Sequence, residues 1–189
     1  MNRWLAMIAV ISAFAQTSVA PPSIGVVRDS SGDIRPVVGT SGYFILGEPV
    51  IQSAISAAFS GRAGLVKTDS EVLVLDAQLA IIGRSDAPPG PAVFSFTDAG
   101  APAFAKFPSN GETLQFTNDP AVSILPIVEG QEIVAPDGRR IRVDFNIDSL
   151  EQMSRNWIAV RESGGTRIFA LRLDQKDLRL YQLPEAAQQ

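Results

Sequence analysis

Ala57-Ala58-Phe59, Ser60-Gly61-Arg62, Ala63-Gly64-Leu65-Val66-Lys67, Thr68-Asp69-Ser70, Glu71-Val72-Leu73-Val74-Leu75: residues 57–75 alternate short apolar runs with short polar breaks. Apolar runs of this length, rich in Val, Leu and Phe and bounded by Gly, Ser and Asp, read as strands joined by tight turns. The same phrase returns twice, from Val93-Phe94-Ser95-Phe96 to Phe116 and from Trp157-Ile158-Ala159-Val160 to Leu183. A recurring unit that cannot bury its own apolar face must stack against its neighbours, so the first expectation is a repeat architecture.

Each phrase contains a hairpin with a stated mechanism. Gly64–Lys67 and Glu71–Leu75 flank Thr68-Asp69-Ser70; Ala103–Phe107 and Thr113–Phe116 flank Pro108-Ser109-Asn110-Gly111; Arg167–Leu173 and Leu178–Leu183 flank Asp174-Gln175-Lys176-Asp177. In the second, Pro presets φ and Asn-Gly accepts positive φ. A fourth hairpin pairs Glu132-Ile133-Val134 with Arg140–Phe145 through Ala135-Pro136-Asp137-Gly138, and Ile141, Val143 and Phe145 alternate with Arg140, Arg142 and Asp144 as in a half-buried antiparallel strand. Further upstream, Ile24–Arg28, Ile34–Val38 and Tyr43–Leu46 read as strands. Glu48–Phe59 carries both helical spacing (Ile51, Ile55, Phe59) and a strand-like end, and Asp86–Pro91 is a stiff connector.

No segment offers the long helical period that parallel crossovers need, so the fold class is all-β. Setting Phe59, Phe96 and Val160 in register gives intervals of 37 and 64 residues, the longer one holding the fourth hairpin. At ~40–45 residues per four-stranded blade, the expectation is a β-propeller-like chain of about four units or an incomplete ring, with a β-sandwich as the alternative.

Phe59-Ser60-Gly61-Arg62-Ala63-Gly64-Leu65-Val66 and Ala135-Pro136-Asp137-Gly138-Arg139 resemble the Phe-Ser-Pro-Asp-Gly strand-turn-strand phrase of blades in the WD40-like and lactonase-like β-propellers of exported bacterial proteins. The resemblance covers about half the chain and implies a propeller fold used for binding or hydrolysis. The chain departs from those families in lacking a Trp-Asp strand ending and any His, and it is short for six or seven blades.

Met1-Asn2-Arg3, the apolar run Trp4–Ile11 and the small residues beyond have the layout of a secretory signal. Cleavage is expected after Ala15, because a cut after Ala20 would place Pro21 next to the scissile bond. The expected organisation is a signal peptide over 1–15, an extended leader over 16–23, one β-rich domain over 24–183 and a flexible tail over 184–189. Localisation is then periplasmic or secreted, with no membrane segment after processing. Without Cys there are no disulfides and no lipid anchor. Net charge is −4; residues 1–138 hold 7 basic and 13 acidic side chains and residues 139–189 hold 9 and 7, which does not fit a nucleic-acid binder.

The absence of His and Cys excludes Ser-His-Asp triads, imidazole bases, His-ligated zinc, thiol nucleophiles and iron–sulfur clusters. Carboxylate pairs and oxygen-ligated calcium survive. Asp144, Asn146 and Asp148 match the opening of a calcium loop, yet Ser149 stands where Gly is needed and Arg155 where a bidentate Glu is needed. The preferred reading makes Asp148 and Glu151 a helix-start pair capping a turn at Ser149–Met153. Gly61–Thr68 fails as a phosphate loop because its Lys does not follow the second Gly. Asp69, Glu71, Asp76, Asp98 and Glu112 sit near turns where two carboxylates could meet, and Trp157 opens an apolar strand, which favours core packing over a ligand platform.

No catalytic residue and no cofactor beyond that calcium candidate is expected. The leading expectation is an exported, non-enzymatic interaction module that contacts a protein or envelope polymer. The alternatives are a carboxylate-based, calcium-assisted or lactonase-like hydrolase and an adhesive β-sandwich.

Overall fold

The computed structural model describes residues 21–122 and 125–185. The expected signal peptide with both cleavage sites, the leader up to residue 20 and the last four residues of the tail lie outside them. Among the described residues there is no helix, and the strands form five antiparallel sheets. β1 (Ser23–Arg28), β2 (Ile34–Thr40) and β3 (Tyr43–Leu46) make blade 1; β4 (Ser56–Phe59), β5 (Ala63–Lys67), β6 (Glu71–Asp76) and β7 (Ile81–Asp86) make blade 2. β8 (Val93–Thr97), β9 (Pro102–Lys106), β10 (Thr113–Gln115) and β11 (Ala121–Val122) make blade 3 in the spatial order β10-β9-β8-β11. β12 (Ile127–Glu129), β13 (Glu132–Val134) and β14 (Arg140–Arg142) make blade 4, and β15 (Ile147–Ser154), β16 (Trp157–Glu162), β17 (Ile168–Arg172) and β18 (Arg179–Gln182) make blade 5. The blades stand in a ring, a β-propeller, and not in the two face-packed layers of a sandwich.

Two expectations are corrected. The units number five rather than about four: the 64-residue interval holds a complete extra sheet, and Ser23–Leu46, ahead of the first phrase, forms a blade of its own. Ser149–Met153 is not a capped helical turn but the body of β15, paired with β16 at Leu150↔Val160 and Glu151↔Ala159. The Glu151 carboxylate that looked like a cap is taken by Arg28, 123 residues away in sequence.

The apolar runs of blades 2 and 5 are nearly continuous because these blades are covered on both faces. In blade 2, Phe59, Val66, Leu73 and Leu75 pack towards blade 1, while Ala58, Leu65 and Val72 pack towards blade 3. In β16, Trp157 and Ala159 face blade 1 and Ile158 and Val160 face blade 4. Period-2 alternation thus separates two apolar faces instead of an apolar and a polar one. Side chains such as Leu65 and Leu75, fully buried, each contribute about 1.5–3 kcal/mol.

First and last blades meet without sharing a strand. Phe44 lies edge-on to Trp157 and Tyr181 at centroid distances of 6.0 and 5.9 Å, and Arg172 sits 5.4 Å over the Trp157 ring. Beside this cluster Arg28 donates to Glu151 at 2.7 and 3.0 Å, and Arg161 donates to the other Glu151 oxygen at 3.2 Å and to the Arg28 carbonyl. Burial lowers the pKa of the Arg161 guanidinium, and the Glu151 charge opposes that shift. On the blade 4 side, Arg139 from the β13–β14 turn donates to the Leu173 carbonyl at 2.6 Å and to the Gln175 carbonyl, which fixes the β17–β18 turn.

The junction of blades 3 and 4 is built differently. Because Phe94 and Ala105 pack towards blade 2, their alternates Val93, Ser95, Phe104 and Lys106 point away from it. In blade 4, Glu132, Arg140 and Arg142 are the alternates of Ile133 and Ile141, which pack towards blade 5. Among the described residues each of the four apolar clusters belongs to another junction, and none joins blades 3 and 4.

Two substitutions test the closure. At Gly25, φ is +152° and an added Cβ would stand 2.6 Å from the Met153 carbonyl oxygen, so Gly25→Ala is expected to cost about 2 kcal/mol or more in chemical denaturation. Glu151→Ala leaves Arg28 and Arg161 facing each other at a half-dry junction and is expected to cost about 3 kcal/mol, with Glu151→Gln costing less.

Candidate functional site

Strands β4, β8 and β15 all end on one side of the ring, called the upper face here, where the turns Ser60–Arg62, Asp98–Gly100 and Arg155–Asn156 sit. β1 begins there, since Ser154 Oγ donates to the Ile24 carbonyl at 2.8 Å while Arg28 at the other end meets Glu151. The first strand therefore runs antiparallel to β15, and the start of the domain opens onto the same face.

Between these strand ends lie two adjoining depressions. The larger, about 470 Å³, is bounded by the start of β1, the β4–β5 and β6–β7 turns and the β15–β16 turn, with Phe59, Leu79 and Trp157 among its apolar lining. The smaller, about 230 Å³, lies between the turns of blades 2, 3 and 5, with Phe96, Val122 and the buried Gln152 in its wall. Ser60, Gly61 and Arg155 line both, so the two share a wall and form one interrupted trough.

Ser60 is the pivot of that wall. Its buried hydroxyl donates to the Gly100 carbonyl at 2.6 Å and accepts from the Arg62 and Ala63 N–H groups at 3.2 and 3.1 Å. One side chain thereby orders its own turn and ties it to the turn of the next blade. The opposite rim is shaped by Asp76, whose Oδ1 accepts from the Gln78 and Ala80 N–H groups at 2.9 Å each. This turn holds Leu79 at φ 66°, an uncommon conformation for a side chain of its kind, and turns it towards the larger depression.

Arg155 and Asp98 are both exposed and approach to 4.0 Å, joining blade 5 to blade 3 across the smaller depression. An exposed pair at that distance contributes little, about 0–1 kcal/mol, and both groups are available to a partner. Arg62 lines the same depression. The trough thus combines an apolar lining with the guanidinium groups of Arg62 and Arg155 and the carboxylates of Asp76 and Asp98.

Of the carboxylates picked out in the sequence, Asp76 lines the larger depression and Asp98 the smaller, so they are not brought together as an acid and base pair. Glu71 is held by Arg84 at 2.9 Å, and Asp69 lies in the β5–β6 turn at the other end of the blade, its carbonyl accepting from the buried Lys67 ammonium at 2.9 Å. Trp157 packs in the junction core, as its strand position implied. Asp144, Asn146 and Asp148 are exposed at alternate positions leading into β15, and none of them lines the trough. Among the described residues no three His, Cys, Asp or Glu side chains gather as a metal-holding group. The trough residues that sequence reasoning passed over are Ser60, Leu79 and Gln152; Arg155 entered it only as a misfit in a calcium loop.

No family model and no curated protein matches the chain. Among solved structures, the β-propeller domain of Cps50 (Swd1) from Myceliophteria thermophila is similar over 89% of this chain and 42% of that one, with 9% identity and a TM-score of 0.28. The chain thus spans less than half of that structure, and the propeller described above rests on strand pairing and junction packing rather than on this likeness.

Ser60→Ala is expected to cost about 1–2 kcal/mol, and to raise hydrogen exchange at the Arg62 and Ala63 amides above that of neighbouring strand amides. Urea denaturation and amide exchange read the two effects separately.

Proposed function

We propose that the protein is an exported, non-enzymatic interaction module whose upper-face trough receives an extended segment of a partner protein or envelope polymer. The observation that carries this reading is the continuity of the two depressions through Ser60, Gly61 and Arg155, which lets the start of β1 and turns from blades 2, 3 and 5 act on one ligand. Export is inferred from the residues 1–15 layout, and the bias towards binding from the absence of His and Cys. A hydrolase reading finds less support, because Asp76 and Asp98 line different depressions.

The test is capture from envelope extract on the immobilised mature chain, wild type against the Arg62→Glu/Arg155→Glu double variant. The expected result is a partner retained by the wild type and depleted at least about tenfold by the variant, the size of effect that charge reversal at a binding rim produces. Equal capture by both, or none by the wild type, would remove the trough from the account.

A further inference from the structure

Blades 2 and 5 carry four strands in sequence order, whereas among the described residues blades 1 and 4 have three, and β14 is the outer edge of blade 4. The ladder shows which of its backbone groups are unused. Val143 N–H donates to the Gln131 carbonyl at 2.9 Å, Ala135 N–H donates to the Arg139 carbonyl at 2.8 Å, and Ile133 faces Ile141 in the same register. In an antiparallel pair the hydrogen-bonded positions alternate, so residues 139, 141 and 143 point their N–H and C=O groups at β13. Those of Arg140 and Arg142 point the other way, from a free edge spaced for another strand.

Beside that edge, towards the lower side of the ring and away from the trough, blades 4 and 5 enclose an open groove of about 680 Å³. Ile141, Phe145, Phe169 and Leu180 are its larger apolar lining, and Gln131, Arg142, Asp144 and Gln182 are its polar groups. Phe145 and Phe169 stack at 4.7 Å with an interplanar angle of 11°, and Arg167 caps both rings at 5.9 and 5.6 Å, which fixes this wall. The charges along the edge are unequal. Arg140 is held by Glu129 and Glu132 at 2.8 and 3.1 Å, while Arg142 is exposed and has no ion-pair partner among the described residues.

From this juxtaposition we infer that the β14 edge docks an extended segment of a partner protein, which adds antiparallel to β14 as a fourth strand of blade 4. Its side chains alternate: apolar ones enter the groove against Phe169 and Leu180, and acidic ones lie over Arg142. The free N–H and C=O groups select a polypeptide over other polymers, and the uncompensated guanidinium selects its charge. This edge is separate from the upper-face trough and stands or falls without it.

The probe is an acetylated peptide of about eight residues alternating valine and glutamate, the length of a long strand, against its valine–lysine counterpart. Both are titrated calorimetrically into the full chain, with amide exchange followed at Arg140 and Arg142. The expected result is saturable binding of the glutamate peptide, at least about tenfold weaker binding of the lysine peptide, and slowed exchange at both amides. Arg142→Glu, an exposed change, reverses the preference, while Arg155→Glu leaves it unaltered. No saturable binding, or binding that spares both amides and ignores Arg142→Glu, overturns the inference. So does a dimer of the unliganded chain that Arg142→Glu dissolves, since the edge would then belong to a second copy.

Discussion

The packing of blade 1 against blade 5 is the contact on which the rest of the molecule depends. Among the described residues no strand is shared between them, so the ring holds only through side chains that come from opposite ends of the domain. Phe44, Trp157 and Tyr181 provide the apolar part, and Glu151 between Arg28 and Arg161 provides the polar part. The two parts divide the labour: the aromatic cluster supplies burial, and the charged group fixes which strands face each other. Close backbone approach at Gly25 brings β1 against β15 and sets the inner wall of the larger depression.

That closure explains why the upper face can be a site at all. Turns from blades 2, 3 and 5 converge over a common centre only if blade 5 returns to blade 1, and Ser60 then locks one of those turns to the next. The opposite arrangement holds between blades 3 and 4, which no apolar cluster joins among the described residues. Four of the five junctions are thus sealed by apolar clusters among the described residues. Blade 4 is anchored to blade 5 by the core around Ile133 and by Arg139, and among the described residues no strand pairs with its outer edge.

Much of this architecture is legible in the residues because blades 2 and 5 are buried on both faces. Runs such as Val72–Leu75 and Trp157–Val160 stay apolar throughout, and turns such as Pro108–Gly111 mark where they reverse. The unit count is less legible: Ser23–Leu46 reads as strands but lacks the repeated phrase, and β7, with Arg84, Ser85 and Asp86, is too polar to announce itself as an outer strand. Asp148 and Glu151 mislead because their spacing is a local capping signature, while the partner that decides the outcome, Arg28, is far away in sequence. The site was half visible. Asp76 and Asp98 stood out as carboxylates at turns, but nothing local shows that they enter different depressions, or that Ser60 and Arg155 form the wall between them.

A double-mutant cycle between Phe44 and Trp157 tests the ring most directly, since these rings come from the first and last blades and touch only if the propeller closes. The account predicts a coupling of about 0.5–1.5 kcal/mol between Phe44→Leu and Trp157→Leu in equilibrium denaturation. Strictly additive effects would mean that blades 1 and 5 do not meet, and would contradict both the ring and the upper face built on it.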